Sequence, residues 1–405
     1  MPCATQPRRG NLEDPRGTRR ELPGERWGRA ANARSEAARR PGADLRAPRA
    51  GPLRYRAPVD AARPSRTIYR WDLDKTYLRT EFDTVRQLVK TALEGPGDKR
   101  TVPGASALLR EIRATGPAGV SILSGSPEQM RRVLEAKLRL DGIQWDSFTL
   151  KPSLRKLLRG KVRFLKDQVS YKLLALLEAR IDAEPDTDEV LFGDDAEADA
   201  FIYSIYADLC AGRVGTETLM AVLERARVYR DEIPRIVRLA SRLPRRDAVR
   251  RIFIHLDRMS PPEVFSEFGM RVCPFHNYFQ PATVLLQDGL LETPAALRVA
   301  ADLVIRHDFG DAALTASVRD LGRRRYVGRE VAQRYIEEAR KAEPSEFASA
   351  APVLRRFADA LGRHLGELGD PAPIDRIAID YVDLFSRDKA RARAARRRAT
   401  WRRPS

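Results

Sequence analysis

Apolar and polar positions follow two different periods along this chain. Short apolar runs at Thr67-Ile68-Tyr69-Arg70-Trp71, Gly119-Val120-Ser121-Ile122-Leu123, Phe148-Thr149-Leu150 and Glu189-Val190-Leu191-Phe192 read as strands. Helical spacing separates them at Thr84–Glu94, Ala105–Ala114 and Val169–Arg180. Past residue 230, three- and four-residue spacing predicts helices at Pro234–Ser241, Arg246–Met259, Ala295–Ile305, Ala313–Leu321, Arg329–Ala339 and Pro352–Leu365. Prolines and glycines punctuate that half often, as in a helical bundle with short loops. It carries no repeat of fixed period, so nothing supports an α-solenoid.

The strand ends concentrate the chemistry. The first delivers Asp72 and Asp74, one residue apart, with a hydroxyl at Thr76. In an open α/β sheet, ligands bind at the carboxyl ends of strands. A carboxylate pair there suits phosphoryl chemistry: one attacks phosphorus, the other carries the leaving-group proton, and both can help hold Mg²⁺. The second strand ends in Ser124-Gly125, and Ser126-Pro127-Glu128 reads as an N-cap followed by proline at the first helical position. Lys172 lies in the following helical pattern, and the last of these strands runs into Gly193-Asp194-Asp195-Ala196-Glu197-Ala198-Asp199. Other readings stand beside these. Lys166 or Lys151 could take the place of Lys172, and Asp195 and Asp199 could instead cap a helix starting near Ala196.

The ordered set resembles the haloacid dehalogenase superfamily of phosphotransferases. Asp72, Asp74 and Thr76 match its first motif, Asp-x-Asp-x-Thr; Ser124 matches the second, Lys172 the third, and Gly193, Asp194 and Asp199 the fourth. Within that superfamily the chain is most similar to the actin-patch-associated phosphatidate phosphatase branch. Val102-Pro103-Gly104 before a helix, Ser124-Gly125-Ser126-Pro127 and Phe201-Ile202-Tyr203 carry that similarity. The chain departs from the branch at Asp195, where a serine is usual, and at Lys75, where another acid is usual.

The resemblance implies a Rossmann-like parallel sheet with little or no cap over residues 67–230, followed by an all-helical domain over 231–386. It also implies a Mg²⁺-dependent phosphatase. Asp72 would be the nucleophile and Asp74 the general acid and base, with Ser124 and Lys172 holding phosphate oxygens. Thr76 and Gly125 join the substrate-binding set, and Asp72, Asp74, Asp194, Asp195 and Asp199 form the metal set. A site without a lid implies a bulky substrate, with a phosphatidate-like lipid head group favoured over a phosphoprotein or a nucleic-acid end.

Charge changes the picture only at the ends. The formal charge is +18, of which residues 1–66 carry +9 and residues 387–405 carry +8. The folded body is therefore close to neutral. The Arg-, Ala-, Pro- and Gly-rich stretch 1–66 has no apolar period and reads as a disordered tail. It also lacks the apolar core of a secretory signal, and a translation start nearer Thr67 is an alternative account of it. The C-terminal basic run, Lys389 to Arg403, suits an anionic membrane surface or nucleic-acid phosphates. No apolar run approaches the ~20 residues of a membrane span. His276, in Cys273-Pro274-Phe275-His276, lacks a second ligand at zinc-finger spacing and reads as a structural loop. Three cysteines make no disulfide framework, which fits a reducing, cytoplasmic setting. The competing functional class is a non-enzymatic or weakly active binding protein, whose helical half and basic tail contact nucleic acid or a protein partner.

Overall fold

The computed structural model describes residues 65–78, 101–151, 164–374 and 377–387. The expected helix at Thr84–Glu94, both tails and the basic connector up to Arg163 lie largely outside them. The described chain builds a six-stranded, all-parallel sheet from β1 (Ser65–Asp72), β2 (Pro117–Pro127), β3 (Ser147–Lys151), β4 (Asp188–Asp194), β5 (Val249–His255) and β6 (Val272–Phe275). Their spatial order is β3-β2-β1-β4-β5-β6. The chain winds outward from β1 to β3, then returns to β4 on the other side of β1. Such a reversal opens a crevice beyond the strand ends, where ligands bind in doubly wound sheets. Asp72 ends β1 and Asp194 ends β4, so the two acids flank that crevice.

Strands buried on both faces need apolar residues at every position, and alternate side chains then serve different cores. Val190 and Phe192 of β4 join a core with Tyr69, Trp71, Val120, Ile122 and Phe253. Helices α1 (Ala105–Ala114) and α2 (Arg131–Leu140) pack into that core, together with α7 (Phe279–Gln287), α8 (Thr293–His307), α9 (Asp311–Arg323), α10 (Arg329–Arg340) and α11 (Ala351–Arg363). Leu191, Ile252 and Ile254 face the opposite core with α3 (Phe164–Ile181), α4 (Asp199–Cys210), α5 (Thr216–Arg225) and α6 (Ile233–Ser241).

Two expectations are corrected. Arg246–Met259 is not a helix: residues 249–255 form β5, and Cys273-Pro274-Phe275 falls in β6. Residues 251–255 are buried without a break, and β-branched Ile252 and Ile254 flank Phe253, a pattern that fits a fully covered strand. Pro274 is tolerated because β6 is at the sheet edge. The stretch 231–386 is therefore not all helical, and the sheet takes strands from both sides of residue 230. Ser126-Pro127 also does not start an α-helix. Pro127 is extended, a short 3₁₀ turn occupies Glu128–Met130, and α2 begins at Arg131.

Candidate active site

β1 sets Asp72 at the crevice with 1% of its surface exposed. The chain then turns sharply. The Tyr77 and Leu78 amides donate to the Leu73 carbonyl at 3.0 and 2.8 Å, and Lys75 takes a left-handed φ of 59°. The turn returns Thr76, whose Oγ1 donates to Asp72 Oδ2 at 3.3 Å. It also presents Asp74, whose Oδ2 accepts from Ser124 Oγ at 2.8 Å and Ser126 Oγ at 2.9 Å. Ser124 Oγ in turn accepts from the Ser126 amide at 3.0 Å.

From α3, the fully buried Lys172 ammonium reaches Asp72 Oδ1 at 3.0 Å, Glu197 Oε2 at 2.8 Å and Asp199 Oδ1 at 2.5 Å. Asp199 opens α4, and its Oδ2 accepts from the Asp194 amide at 3.2 Å. A Cβ at Gly193 would meet that carboxylate, so the glycine gives Asp199 its place. Asp194 Oδ1 accepts from the amides of Ala196 and Glu197 at 2.6 and 2.9 Å. Asp72, Asp74, Ser124, Lys172, Asp194 and Asp199 are thus gathered at one end of the sheet, with Thr76 braced on Asp72.

Asp195 is not part of that group. Its two carboxylate oxygens accept from the Arg258 and Ser260 amides at 2.8 and 3.0 Å, and so pin the loop after β5. Lys151, the alternative to Lys172, is buried at the end of β3, and the Lys166 side chain lies outside the described residues. Gly125 is packed by Gln168, whose Nε2 donates to Glu197 Oε1 at 2.9 Å.

Glu197, Ser126 and Gln168 were missed in the sequence. Ser126 had a signal, because it lies two residues beyond Ser124 on the same strand face. Glu197 stood unassigned within the acidic string, and nothing in the sequence distinguishes Gln168.

Electrostatics give this end its character. Burial pushes the Asp72 carboxyl well above the ordinary range; Asp199, Glu197 and Asp194 add to this, and Lys172 opposes it. Burial raises Asp194 in the same way, again helped by Asp199 and Glu197. Asp199 is pushed up to about 6 by burial and by Glu197, against Lys172. Burial also raises Asp74, with the Ser124 hydrogen bond opposing. For Lys172, burial favours the neutral amine, but Asp199, Asp72 and Glu197 outweigh it and keep the ammonium charged.

This arrangement calls for further positive charge. Oxygens of Asp72, Glu197 and Asp199 lie within 4.8 Å of one another, and the buried Asp74 Oδ1 and Asp194 Oδ2 have no hydrogen-bond partner. An oxygen-only, anionic donor set of this kind fits a hard divalent cation.

Fold and site together describe an α/β protein with a buried carboxylate–lysine centre at the switch point of a parallel sheet. Residues 71–216 match the family model of the phosphatidate phosphatase APP1 catalytic domain. That is the branch which the motif residues resemble, and the match spans a little over a third of the chain. No curated protein and no solved structure matches the chain.

Proposed function

We propose that this protein is a Mg²⁺-dependent phosphatase that hydrolyses a phosphate monoester through an aspartyl-phosphate on Asp72, with a phosphatidate-like lipid as substrate. The observation that carries this reading is the pairing of Asp72 and Asp74 at the switch point, with Lys172 on the first and the Ser124 hydroxyl on the second. The matched family supports a phosphatase, and its printed name supports the lipid substrate.

An Asp72 oxygen forms a bond to phosphorus as the bond from phosphorus to the ester oxygen breaks. Asp74 gives its proton to the departing oxygen, a role suited to a carboxyl that burial keeps protonated above the usual range. Asp74 then takes a proton from water as the water oxygen attacks phosphorus, which frees phosphate and restores Asp72. The Lys172 ammonium neutralises charge on the phosphoryl oxygens, while Glu197 and Asp199 hold it in place. The Asp72 carboxylate, the Asp74 backbone carbonyl and Asp194 would hold the Mg²⁺, with Asp199 and Glu197 beside them; when bound, it supplies charge neutralisation at the transferring phosphoryl group.

No described helix is long and apolar enough to cross a membrane. Delivery to lipid falls, in this proposal, to the basic run 389–403, which lies outside the described residues. Cys210 and Cys273, both buried free thiols, fit a cytoplasmic setting.

The test is phosphate release from an aryl phosphate and from phosphatidate in mixed micelles, with and without Mg²⁺, by the full chain and by Asp72→Asn. The expected result is turnover that needs Mg²⁺ and Asp72 and prefers phosphatidate to peptide or oligonucleotide phosphates. Equal rates for the parent and Asp72→Asn would sink the reading and favour a binding protein.

A further inference from the structure

The turn that carries Asp74 is held from a part of the chain well beyond the matched residues 71–216. His255, the last residue of β5, places Nδ1 2.8 Å from the Lys75 carbonyl oxygen. A carbonyl can only accept, so Nδ1 carries the proton. Tyr278, just before α7, donates its hydroxyl to the next carbonyl, that of Thr76. The two bonds secure consecutive peptides of a turn that also contains the left-handed Lys75.

The rings that deliver these donors are themselves stacked. Tyr278 lies 5.7 Å from Trp71 and 5.9 Å from His255, at interplanar angles of 17° and 28°. Trp71 stacks on Phe192 at 3.8 Å, and Phe192 on Phe253 at 4.8 Å. Trp71 precedes Asp72, and Phe192 precedes Gly193-Asp194. One aromatic ladder therefore ties the nucleophile strand, the acidic strand and β5 to the two donors. Gly104, with φ +80°, brings the start of α1 against Tyr278, where a Cβ would stand 3.0 Å from the Tyr278 Cβ. Tyr278 is fully buried between these elements.

We infer that His255 and Tyr278 are positioning residues for the phosphotransfer centre: the C-terminal half of the chain clamps the carbonyls of Lys75 and Thr76, and so sets Asp74 and Thr76 against Asp72. The inference rests on the phosphatase reading for its kinetic arm alone. It makes residues 249–287 part of the working enzyme, although they fall outside the matched domain.

The experiment compares the full chain with Tyr278→Phe, His255→Leu and His255→Asn, the last of which keeps an N–H near the Nδ1 position. Aryl phosphate turnover is read as kcat and KM, and hydrogen exchange is read on peptides spanning Leu73–Leu78. Tyr278→Phe and His255→Leu should lower kcat by about 10- to 100-fold with little change in KM, and His255→Asn should recover most of the loss. The Lys75, Tyr77 and Leu78 amides should exchange faster in the first two variants and near the parent rate in His255→Asn. Unchanged exchange across the turn overturns the inference whether or not the parent is active. Faster exchange in those two variants of a parent without turnover upholds the clamp and removes the phosphatase reading instead. In an active parent, an unchanged kcat in both Tyr278→Phe and His255→Leu overturns it, as does a loss that His255→Asn fails to recover.

Discussion

Glu189 and Asp194 stand near opposite ends of β4, both buried, and their carboxyls are driven in opposite directions. Burial works to raise Glu189, but Arg70 beside it outweighs burial and holds the carboxyl below the ordinary range. Arg70 donates to it twice, at 3.0 and 2.7 Å, and the Tyr206 hydroxyl once, at 2.7 Å. Arg180 stands 3.7 Å away. Asp194 has two backbone amides on one oxygen, nothing on the other, and acids for neighbours. One end of the strand satisfies its buried charge completely. The other leaves it unsatisfied, where a phosphoryl group and a cation would be received. Equal depth of burial thus goes with anchoring at one end and, in the proposed function, with chemistry at the other, and the neighbours decide which.

The largest effect should come from breaking the satisfied end. Glu189→Gln leaves Arg70 buried without its anion and should cost about 3–5 kcal/mol, read by urea denaturation. The site lies at the other end of the sheet, so turnover per folded molecule should stay at the parent value. A fall in turnover matching the fall in stability would show that the two ends are not separable.

Next comes the unsatisfied end. Mg²⁺ at 100 times its dissociation constant should stabilise the parent by about 2.7 kcal/mol, visible as a rise in Tm that a chelator reverses. Asp194→Asn should abolish that rise. In metal-free protein the same change should raise stability by about 0.5–2 kcal/mol, because it removes one carboxylate from a crowded cluster. A metal-free Asp194→Asn protein less stable than the parent would mean that the cluster is a structural network like that around Glu189.

The contrast between the ends explains what was legible beforehand. Asp72, Asp74, Ser124, Lys172, Asp194 and Asp199 stood out because their order along the chain resembles a phosphotransferase motif set, although a helix lysine and acids at a helix start also have ordinary surface and capping roles. Asp195 looked the same in the sequence but is consumed by the amides of Arg258 and Ser260, a tertiary contact that no local pattern announces. Arg70 and Glu189 gave no signal either, since a strand arginine reads as solvent-facing until its partner 119 residues away is known. Helices with clear three- and four-residue spacing, such as α8 to α11, were readable within a few residues. β5 was not, because Ile252-Phe253-Ile254 between Arg251 and His255 suits a buried strand or a helix face alike, and only the neighbouring β4 decides.

The smallest effect is the most direct comparison of the two ends, because one titration reads both. An acid whose folded pKa is raised binds its proton earlier in the native state, so stability falls as pH rises through that value. Asp199, at about 6, and the raised Asp72 and Asp194 should therefore make metal-free protein more stable at pH 5 than at pH 7. Glu189 has the opposite sign: its contribution is complete above the unfolded carboxyl value of about 4.3 and is lost as pH falls through its lowered folded value. Metal-free protein should thus show a stability maximum on the acid side of neutrality, measured by denaturant midpoints from pH 7 down to pH 3. Asp199→Asn should reduce the slope between pH 7 and 5 and leave the acid limb intact, whereas Glu189→Gln should soften the acid limb alone. Saturating Mg²⁺ should erase the upper slope, since a bound cation keeps these carboxylates ionised. A metal-free parent whose stability is level between pH 7 and 5 would mean that Lys172 alone balances the cluster, and the proposed contrast between the two ends would collapse.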